Sequence, residues 1–206
     1  MYKGITFFII SLLPNNFIKI LLLNFLPGVY INRKSIIGYG IFFDSKKIKI
    51  IDSKVGNLNY FSCISFIFLN SKIANYNFVK KIKKIKAENF AIVGSYNIIS
   101  SNNNKNDIYI KMLNSQISNN FRLELTRNLY LGDKVVLGGN NTKIIDDTNE
   151  NSNSSTILFK NIFVGSNSII KNGVRLKKDI MIGANTLVEE NILLSGKYFS
   201  KFLDKL

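Results

Sequence analysis

Residues 158–188 read LFKNIFVGSNSIIKNGVRLKKDIMIGANTLV, and an aliphatic residue occupies every sixth position of this stretch. The six positions are Leu158, Val164, Ile170, Leu176, Ile182 and Val188. Such a period is neither that of an exposed strand nor that of a helix, and a short fixed period indicates one structural unit stacked on copies of itself. Six residues per side and eighteen per turn describe a triangular prism with the aliphatic residues inside. We therefore predict an all-β fold, a left-handed parallel β-helix built from hexapeptide repeats.

The eighteen-residue period is also visible in the first half of the chain. VGNLNY at 55–60 recurs as IANYNF at 73–78 and is anticipated by IGYGIF at 37–42. It returns as VGSYNI at 93–98, after a step of 20 residues. The same repeating unit therefore accounts for both halves of the sequence.

Aligning the coils reveals a column of asparagines and a lysine-rich insertion. Asn59, Asn77 and Asn97 fall at equivalent positions, and Asn tolerates the left-handed backbone that a corner demands. We expect their amides to stack along one corner. The stretch KKIKKIK at 80–86 supplies the two extra residues of the 20-residue step. Its lysines form either a solvated edge or a ridge that contacts an anion.

The apolar periodicity divides the chain into three parts. Residues 1–30 form an apolar N-terminal helical cap, residues 31–192 the β-helix with a polar loop excursion at 144–157, and residues 193–206 a short C-terminal helical cap. The apolar stretches 4–13 and 17–26 fall short of the roughly 20 residues that cross a bilayer. An open β-helix end exposes unpaired backbone, so helices that cover it have a structural role. Lying on a membrane surface is the alternative.

Composition narrows the chemistry that this chain can perform. It has 206 residues and no histidine, and its one cysteine, Cys63, lies in an apolar run. We therefore expect Cys63 in the core and no internal disulfide. Without histidine there is no Ser-His or Cys-His pair and no histidine metal site, and we expect no bound metal.

The net charge of +15 is concentrated in the first half of the chain. Residues 1–103 carry 14 Lys and Arg against 3 Asp and Glu, whereas residues 104–206 carry 14 against 10. A basic surface favours an anionic partner such as a membrane or a phosphorylated ligand. The alternative is codon bias, because Lys, Asn and Ile are the residues that an AT-rich genome favours. Nucleic acid is not expected, since charge is the only feature that points to it.

The closing coils carry a family resemblance. The segments NIFVGSNSIIKNGV at 161–174 and IGANTLV at 182–188 resemble the last coils of the hexapeptide-repeat acyltransferases, in the branch that O-acetylates sugars of bacterial surface polysaccharides. LGDKVVLGGNNT at 131–142 is similar to the run that precedes the active-site loop of that branch. The resemblance covers roughly residues 12–195. It implies acetyl-coenzyme A as co-substrate, a saccharide acceptor, and a homotrimer with the donor bound between neighbouring prisms.

The resemblance also places the catalytic positions. The family uses a histidine that removes the proton of the sugar hydroxyl, and many members carry a second histidine one coil earlier. Here Asp147 stands at the first position and Asn120 at the second. Glu124 matches a carboxylate that would orient the missing histidine. An ordinary aspartate, with a pKa near 3.9, is a poor base for this reaction, so Asp147 is either a raised-pKa base or simply a polar loop residue.

The donor site implied by the resemblance lies on the closing coils. The phosphates of coenzyme A would meet basic groups, with Lys171, Arg175, Lys177 and Lys178 as the candidates. Gly183 and Ala184 would let the pantetheine arm lie against the backbone.

Two functions remain open at this point. One is an acetyl-coenzyme A-dependent sugar O-acyltransferase that is weak or inactive for lack of the histidine base. The other is a non-catalytic β-helix scaffold or binding protein. Whether the chain is an enzyme is left undecided. The first function implies a cytoplasmic protein, and the apolar N-terminal segment with the basic N-terminal half allows contact with the inner face of the membrane.

Overall fold

The computed structural model describes residues 2–101, 108–125, 127–145 and 155–199. Two helices open the chain, α1 at Tyr2–Ser11 and α2 at Asn16–Leu23. The first ten strands are β1 Val29–Ile31, β2 Ile36–Ile37, β3 Phe42–Asp44, β4 Lys47–Ile51, β5 Lys54–Val55, β6 Tyr60–Leu69, β7 Lys72–Ile73, β8 Phe78–Glu88, β9 Ile92–Val93 and β10 Ile98–Ser101. The others are β11 Tyr109–Leu113, β12 Gln116–Ile117, β13 Arg122–Leu125, β14 Leu129–Leu137, β15 Lys143–Ile145, β16 Thr156–Val164, β17 Ile169–Lys171, β18 Arg175–Ile182, β19 Leu187–Val188 and β20 Gly196–Tyr198.

All pairings between these strands are parallel, and they arrange the chain into three faces. The first face starts with β1, β4 and the second part of β6. The second face starts with β2, β5 and β7, and ends with β18 and β20. The third face starts with β3 and β6 and ends with β17 and β19. Long strands such as β14, β16 and β18 bend at a corner and serve two faces. The predicted all-β parallel β-helix is confirmed.

The interior of the prism holds the predicted hexapeptide residues. Leu158, Val164, Ile170, Leu176, Ile182 and Val188 are all buried, with relative exposures of 4% or less. Val164 pairs with Ile182, and Ile170 with Val188, one coil apart. A Cβ on Gly165 would approach the Ala184 backbone nitrogen to 2.5 Å. Gly165 and Gly183 therefore stack as predicted, because only a bare backbone fits where consecutive coils turn this closely.

The corner between the second and third faces contains the predicted asparagine ladder. Asn77 donates its backbone N–H to the Asn59 side-chain oxygen at 2.8 Å, and Asn97 donates in the same way to Asn77 at 3.1 Å. Phe121, one coil later, donates its N–H to the Asn97 oxygen at 2.7 Å. The three asparagines are buried. Stacked amides thus satisfy backbone donors that the turn would otherwise leave unpaired.

Two of the three corners are built with left-handed backbone. The corner between the first and second faces has positive φ at Asp52, Asn70, Asn89, Phe90, Asn114, Lys134, Asn161 and Asp179. The corner between the second and third faces has it at Gly40, Leu58, Tyr76, Tyr96, Asn120, Asn140, Asn141, Asn167 and Asn185. Asparagine is the commonest residue in these lists because it adopts this conformation at lower cost than most side chains.

The extra residues of the 20-residue step occupy two corners, which corrects the prediction that 80–86 supplies both. Ser62 pairs with Lys80 but Cys63 pairs with Ile82, so Lys81 is the residue left over at a bulge. The second extra residue lies between Ala87 and Ile92, where the register changes again. The predicted loop excursion is also shorter than 144–157, because β15 continues to Ile145 and β16 begins at Thr156.

The N-terminal helices cover the open end of the first coil with hydrogen bonds as well as apolar contacts. The Ser11 hydroxyl accepts the Ile41 N–H at 2.9 Å, and Asn16 accepts the Ile37 N–H at 2.9 Å. The Lys19 ammonium donates to the carbonyls of Ile37 and Gly38, both at 3.2 Å. Side chains of the helices therefore replace the backbone partners that a preceding coil would provide. The N-terminal helical cap has a defined structural role.

The C-terminal end differs from the prediction in the part that the structure describes. Residues 196–198 form strand β20, which pairs with β18, instead of belonging to a helix. The physical reason is that β18 would otherwise present an unpaired edge, and an added strand satisfies its backbone groups. The rest of the predicted cap, 200–206, lies outside the described residues.

Candidate functional site

A concave groove of about 700 Å³ runs along the second face. Its apolar wall is a column of outward-pointing side chains, one from each coil, in which Val136 pairs with Phe163 and Phe163 with Met181. Phe163 is 46% exposed and Met181 42%. Side chains alternate along a strand, so these residues point outward because their neighbours Val164 and Ile182 point into the core. The groove is an exposed apolar surface held on a rigid sheet.

Polar and charged groups line the edge of this groove at the corner between the first and second faces. Lys134 and Asp179 lie at this corner, whereas Lys197 lines the groove from the second face, where it pairs with Met181. The Asn161 amide donates to the Asp179 carboxylate at 2.7 Å. The adjacent corner amide of Asn114 donates to Asp133 at 2.6 Å. The groove can therefore offer an apolar contact together with amide, ammonium and carboxylate groups.

Phe90 divides the second face into two parts. It lines the 700 Å³ groove and also a second groove of about 380 Å³ that continues over the earlier coils. Its side chain is 74% exposed and its φ is +67°. The 20-residue step explains the position of Phe90, because the residue inserted at this corner points its side chain outward.

None of the predicted donor residues lines the larger groove, but four of them flank its lining residues along the chain. Lys177 and Lys178 are exposed on the first face, just before Asp179, Ile180 and Met181 of the groove. Gly183 and Ala184 follow immediately after it, at the next corner. In the last coil the chain therefore runs from the predicted phosphate contacts, through the groove, to the predicted pantetheine contact.

The other two basic candidates lie at the ends of strands β17 and β18. Lys171 ends β17 on the third face, and its ammonium pairs with the Glu189 carboxylate at 2.5 Å. Arg175 begins β18 on the first face, and its backbone N–H donates to the side-chain oxygen of Asn191 at 2.7 Å. The structure does not gather all four basic residues around one point.

Gly183 is covered by a side chain of this same protein. A Cβ at Gly183 would approach the Phe199 ring to 2.4 Å. Phe199 is itself 68% exposed, so it packs on the corner without being buried. A ligand arm lying against the Gly183 backbone would have to displace this ring.

The structure describes two of the three predicted catalytic positions, Asn120 and Glu124, and places them apart on the same coil. Asn120 lies at the corner between the second and third faces with φ +55°, and its amide donates to Asn140 at 3.3 Å. Glu124 lies four residues further, on β13, about 13 Å along an extended strand. Asp147 lies outside the described residues.

Asn120 and Glu124 each have a structural role in the coil on which they lie. Asn120 occupies a left-handed corner position that Tyr96 occupies one coil earlier, so it is part of the corner stack. The Glu124 carboxylate accepts the Arg122 Nε–H at 2.6 Å and also pairs with its terminal nitrogen. Its carboxylate is thus held by a neighbouring cation on the same strand.

Cys63 is the buried core residue that the sequence predicted. Burial raises the pKa of its thiol to about 11, and a hydrogen bond with the Ser45 hydroxyl opposes that change. A neutral buried thiol is a poor nucleophile. In the described ranges, no three His, Cys, Asp or Glu residues lie close enough together to hold a metal ion.

Sequence reasoning missed the groove, although a signal for it exists. Ile92, Phe163 and Met181 each precede an inward residue, and Phe163 and Met181 are 18 residues apart. Apolar residues at an outward position of successive hexapeptides indicate an apolar strip on one face. The depth of the groove could not be anticipated, because it depends on how the coils are offset.

Comparisons with protein-family models, curated proteins and solved structures give no significant match.

Proposed function

We propose that this protein is an acyltransferase-like β-helix that binds acetyl-coenzyme A at its closing coils and transfers the acetyl group slowly or not at all. The observation that supports donor binding is the arrangement of the last coil. There the second-face groove separates Lys177 and Lys178 from Gly183 and Ala184. The resemblance of residues 161–188 to the sugar O-acetyltransferases supplies the choice of ligand. The acceptor in this proposal is a saccharide, and the assembly is a homotrimer.

The weakness of the reaction follows from the chemistry of the transfer. A sugar hydroxyl attacks the thioester carbonyl, an ester forms, and the thiolate of coenzyme A leaves and takes up the proton that the hydroxyl has lost. A positioned base contributes about 10²–10⁴-fold to such a step. This chain has no histidine, Asn120 is an amide, and Glu124 is paired with Arg122. Holding donor and acceptor together still contributes to the rate without a base.

A second candidate function is a non-catalytic scaffold. The observation that favours it is the exposed apolar surface along the second face, where Phe90, Phe163 and Met181 remain uncovered. An exposed apolar strip of this kind is typical of a surface that binds another molecule. Under this alternative the groove binds a partner and no acyl donor.

The proposed acyl donor also predicts the cellular compartment in which the protein works. Acetyl-coenzyme A is used in the cytoplasm, so we place the protein there. No helix among the described residues is long and apolar enough to cross a membrane.

Calorimetric titration with coenzyme A tests the proposal, because donor binding does not require a base. We expect saturable binding that weakens about tenfold or more when Lys177 and Lys178 are both replaced by Ala, since each cation contacts a phosphate. The matched control replaces Lys54 and Lys72, two exposed lysines on the second face of earlier coils. Absence of binding to the unmodified protein would favour the scaffold.

Catalysis is tested separately, by release of free coenzyme A from acetyl-coenzyme A in the presence of candidate glycans. We expect little turnover for the unmodified protein and a gain in rate for Asp147→His combined with Asn120→His. Fast turnover that Asp147→Ala leaves unchanged would show that the active site lies elsewhere.

A further inference from the structure

The N-terminal helices are apolar on the side that faces away from the prism as well as on the side that packs against it. Helix α1 buries Gly4, Phe7 and Ser11, and α2 buries Lys19, Ile20 and Leu23. The opposite sides and the residues that follow each helix expose Tyr2, Ile5, Phe8, Ile9, Leu12, Phe17, Ile18, Leu21, Leu22 and Phe25. We call these ten residues the helix apolar surface. Their relative exposures range from 37% for Phe8 to 87% for Tyr2.

Charged residues are scarce in this segment and they do not interrupt its surface. Residues 2–26 contain two charged side chains, Lys3 and Lys19. The Lys3 ammonium donates to the carbonyls of Pro27 and Ser45, and Lys19 is 2% exposed with its ammonium on the Ile37 and Gly38 carbonyls. Burial lowers the pKa of both lysines. Both ammonium groups are directed toward the first coil, so neither charge lies on the helix apolar surface.

Basic residues of the first coil form a rim beside this apolar surface. Arg33, Lys34, Lys46 and Lys47 are exposed in the first coil, and the Arg33 guanidinium lies 5.7 Å from the centre of the Phe17 ring. Residues 2–51 carry seven Lys and Arg against the single acidic residue Asp44. A helix that is apolar on its outer face and bordered by cations is typical of one that lies in the interface of an anionic membrane.

From this combination we propose that the helix apolar surface docks on an anionic lipid bilayer, with α1 and α2 lying in the interface and the β-helix standing outside it. Both helices are too short to span: α1 has 10 residues and α2 has 8. A second copy of the chain fits less well, because a symmetric contact would bring the two basic rims against each other. Lipid phosphates would neutralise the same rims. This inference does not depend on the proposed acyl transfer.

Co-sedimentation of the full-length protein with vesicles tests the inference. One set of vesicles is phosphatidylcholine alone, and the other is an equimolar mixture with phosphatidylglycerol. We expect strong binding to the mixed vesicles and weak binding to phosphatidylcholine, because the rim requires anionic headgroups. High salt should weaken the binding. Equal binding to both compositions, or none to either, would overturn the inference.

Two variants and their matched controls locate the surface. The triple variant Ile9→Gln, Leu12→Gln and Leu21→Gln changes residues that are 59%, 52% and 49% exposed, so the fold should remain. Its control is Tyr96→Gln, Ile98→Gln and Phe159→Gln, at 58%, 46% and 47%. We expect the first variant to lose about tenfold or more of the binding, because interfacial affinity scales with buried apolar area, and the control to keep it. Equal behaviour of the two variants would overturn the assignment.

The rim has its own pair of variants. Arg33→Gln with Lys34→Gln should reduce binding to mixed vesicles, whereas Lys134→Gln with Lys197→Gln, which lie near the other end of the prism, should not. Light scattering of the unmodified protein and of the helix variant completes the test. If the unmodified protein is an oligomer that the helix variant dissociates, and neither binds vesicles, the surface is covered by a second copy and the lipid assignment is wrong.

Discussion

Burial changes the chemistry of Cys63 from that of a reactive thiol to that of a small core side chain. The thiol lies at the start of the bulge that follows Ser62, and its sulfur is 3.2 Å from the Ser45 hydroxyl. Removing a charge-forming group from water disfavours its ionised form, which is why the pKa of Cys63 rises to about 11. In this protein the residue contributes packing and no nucleophile.

This pKa change predicts how stability depends on pH. The thiol ionises near 9.0 in the unfolded chain and near 11 in the folded one. Its contribution to stability is therefore complete below about pH 9 and is lost as the pH rises towards 11, by at most about 3 kcal/mol. Denaturant unfolding of the unmodified protein and of Cys63→Ala across this range isolates the effect, since other groups titrate in both. A difference that stays constant with pH would contradict the assignment.

At the scale of the elements, helix α2 and its C-cap hydrogen-bond the backbone at the edge of the first coil through their side chains. Inside the β-helix, these backbone groups would instead bind the backbone of a neighbouring coil. Lys19 has two carbonyl acceptors, and its ammonium lies 3.7 Å from the centre of the Tyr39 ring. Asn24 donates to the Ile31 carbonyl at 2.8 Å and accepts the Ile31 N–H at 2.7 Å. A short helix is stable here because its side chains are fixed by the sheet that they cap.

Replacing Lys19 by Met should therefore destabilise the protein. The methionine fills similar apolar space but leaves the Ile37 and Gly38 carbonyls without their donor, at a cost of about 1–3 kcal/mol. Lys34→Met, an exposed position in the first coil, is the matched control and should change the free energy of unfolding by less than about 0.5 kcal/mol. Urea unfolding followed by circular dichroism gives both values. Equal effects of the two substitutions would mean that Lys19 is not a structural donor.

At the scale of the whole molecule, each coil contacts mainly the coils directly before and after it. Strand β16, for example, pairs with β14 and β18. Stability in such a stack is close to a sum of nearest-neighbour contributions, so damage at one end need not unfold the other. The protein nevertheless has a single hydrophobic core, because the inward residues of the coils form one continuous cluster.

Ile170→Asp should therefore unfold the closing coils first. Ile170 is 0% exposed, and an unpaired buried carboxylate costs several kcal/mol. Ile169, its neighbour on the outward side of β17, gives the matched control Ile169→Asp, which should be tolerated. Hydrogen exchange should show loss of protection in β16–β19 with protection retained in β4 and β6. Equal loss throughout the chain would show that the coils unfold as one unit.

The sequence alone determined the coil architecture and the interior of this protein. A period of six needs no tertiary information, because the residue that points inward is fixed by the geometry of a hexapeptide side. For the same reason the asparagine ladder, the glycine stack and the burial of Cys63 were predictable. The resemblance of the closing coils suggested the donor residues but could not arrange them in space.

Only the tertiary structure decided which surfaces are left open. Three features depend on how one coil packs on the next, which composition and period do not encode. They are the register change that exposes Phe90, the bulge at Lys81 and the pairing of β20. The same holds for α1 and α2, whose sequences place apolar residues on every side. Packing against the first coil determined which side is buried, and thus left the opposite side facing solvent, beside the basic rim of the first coil.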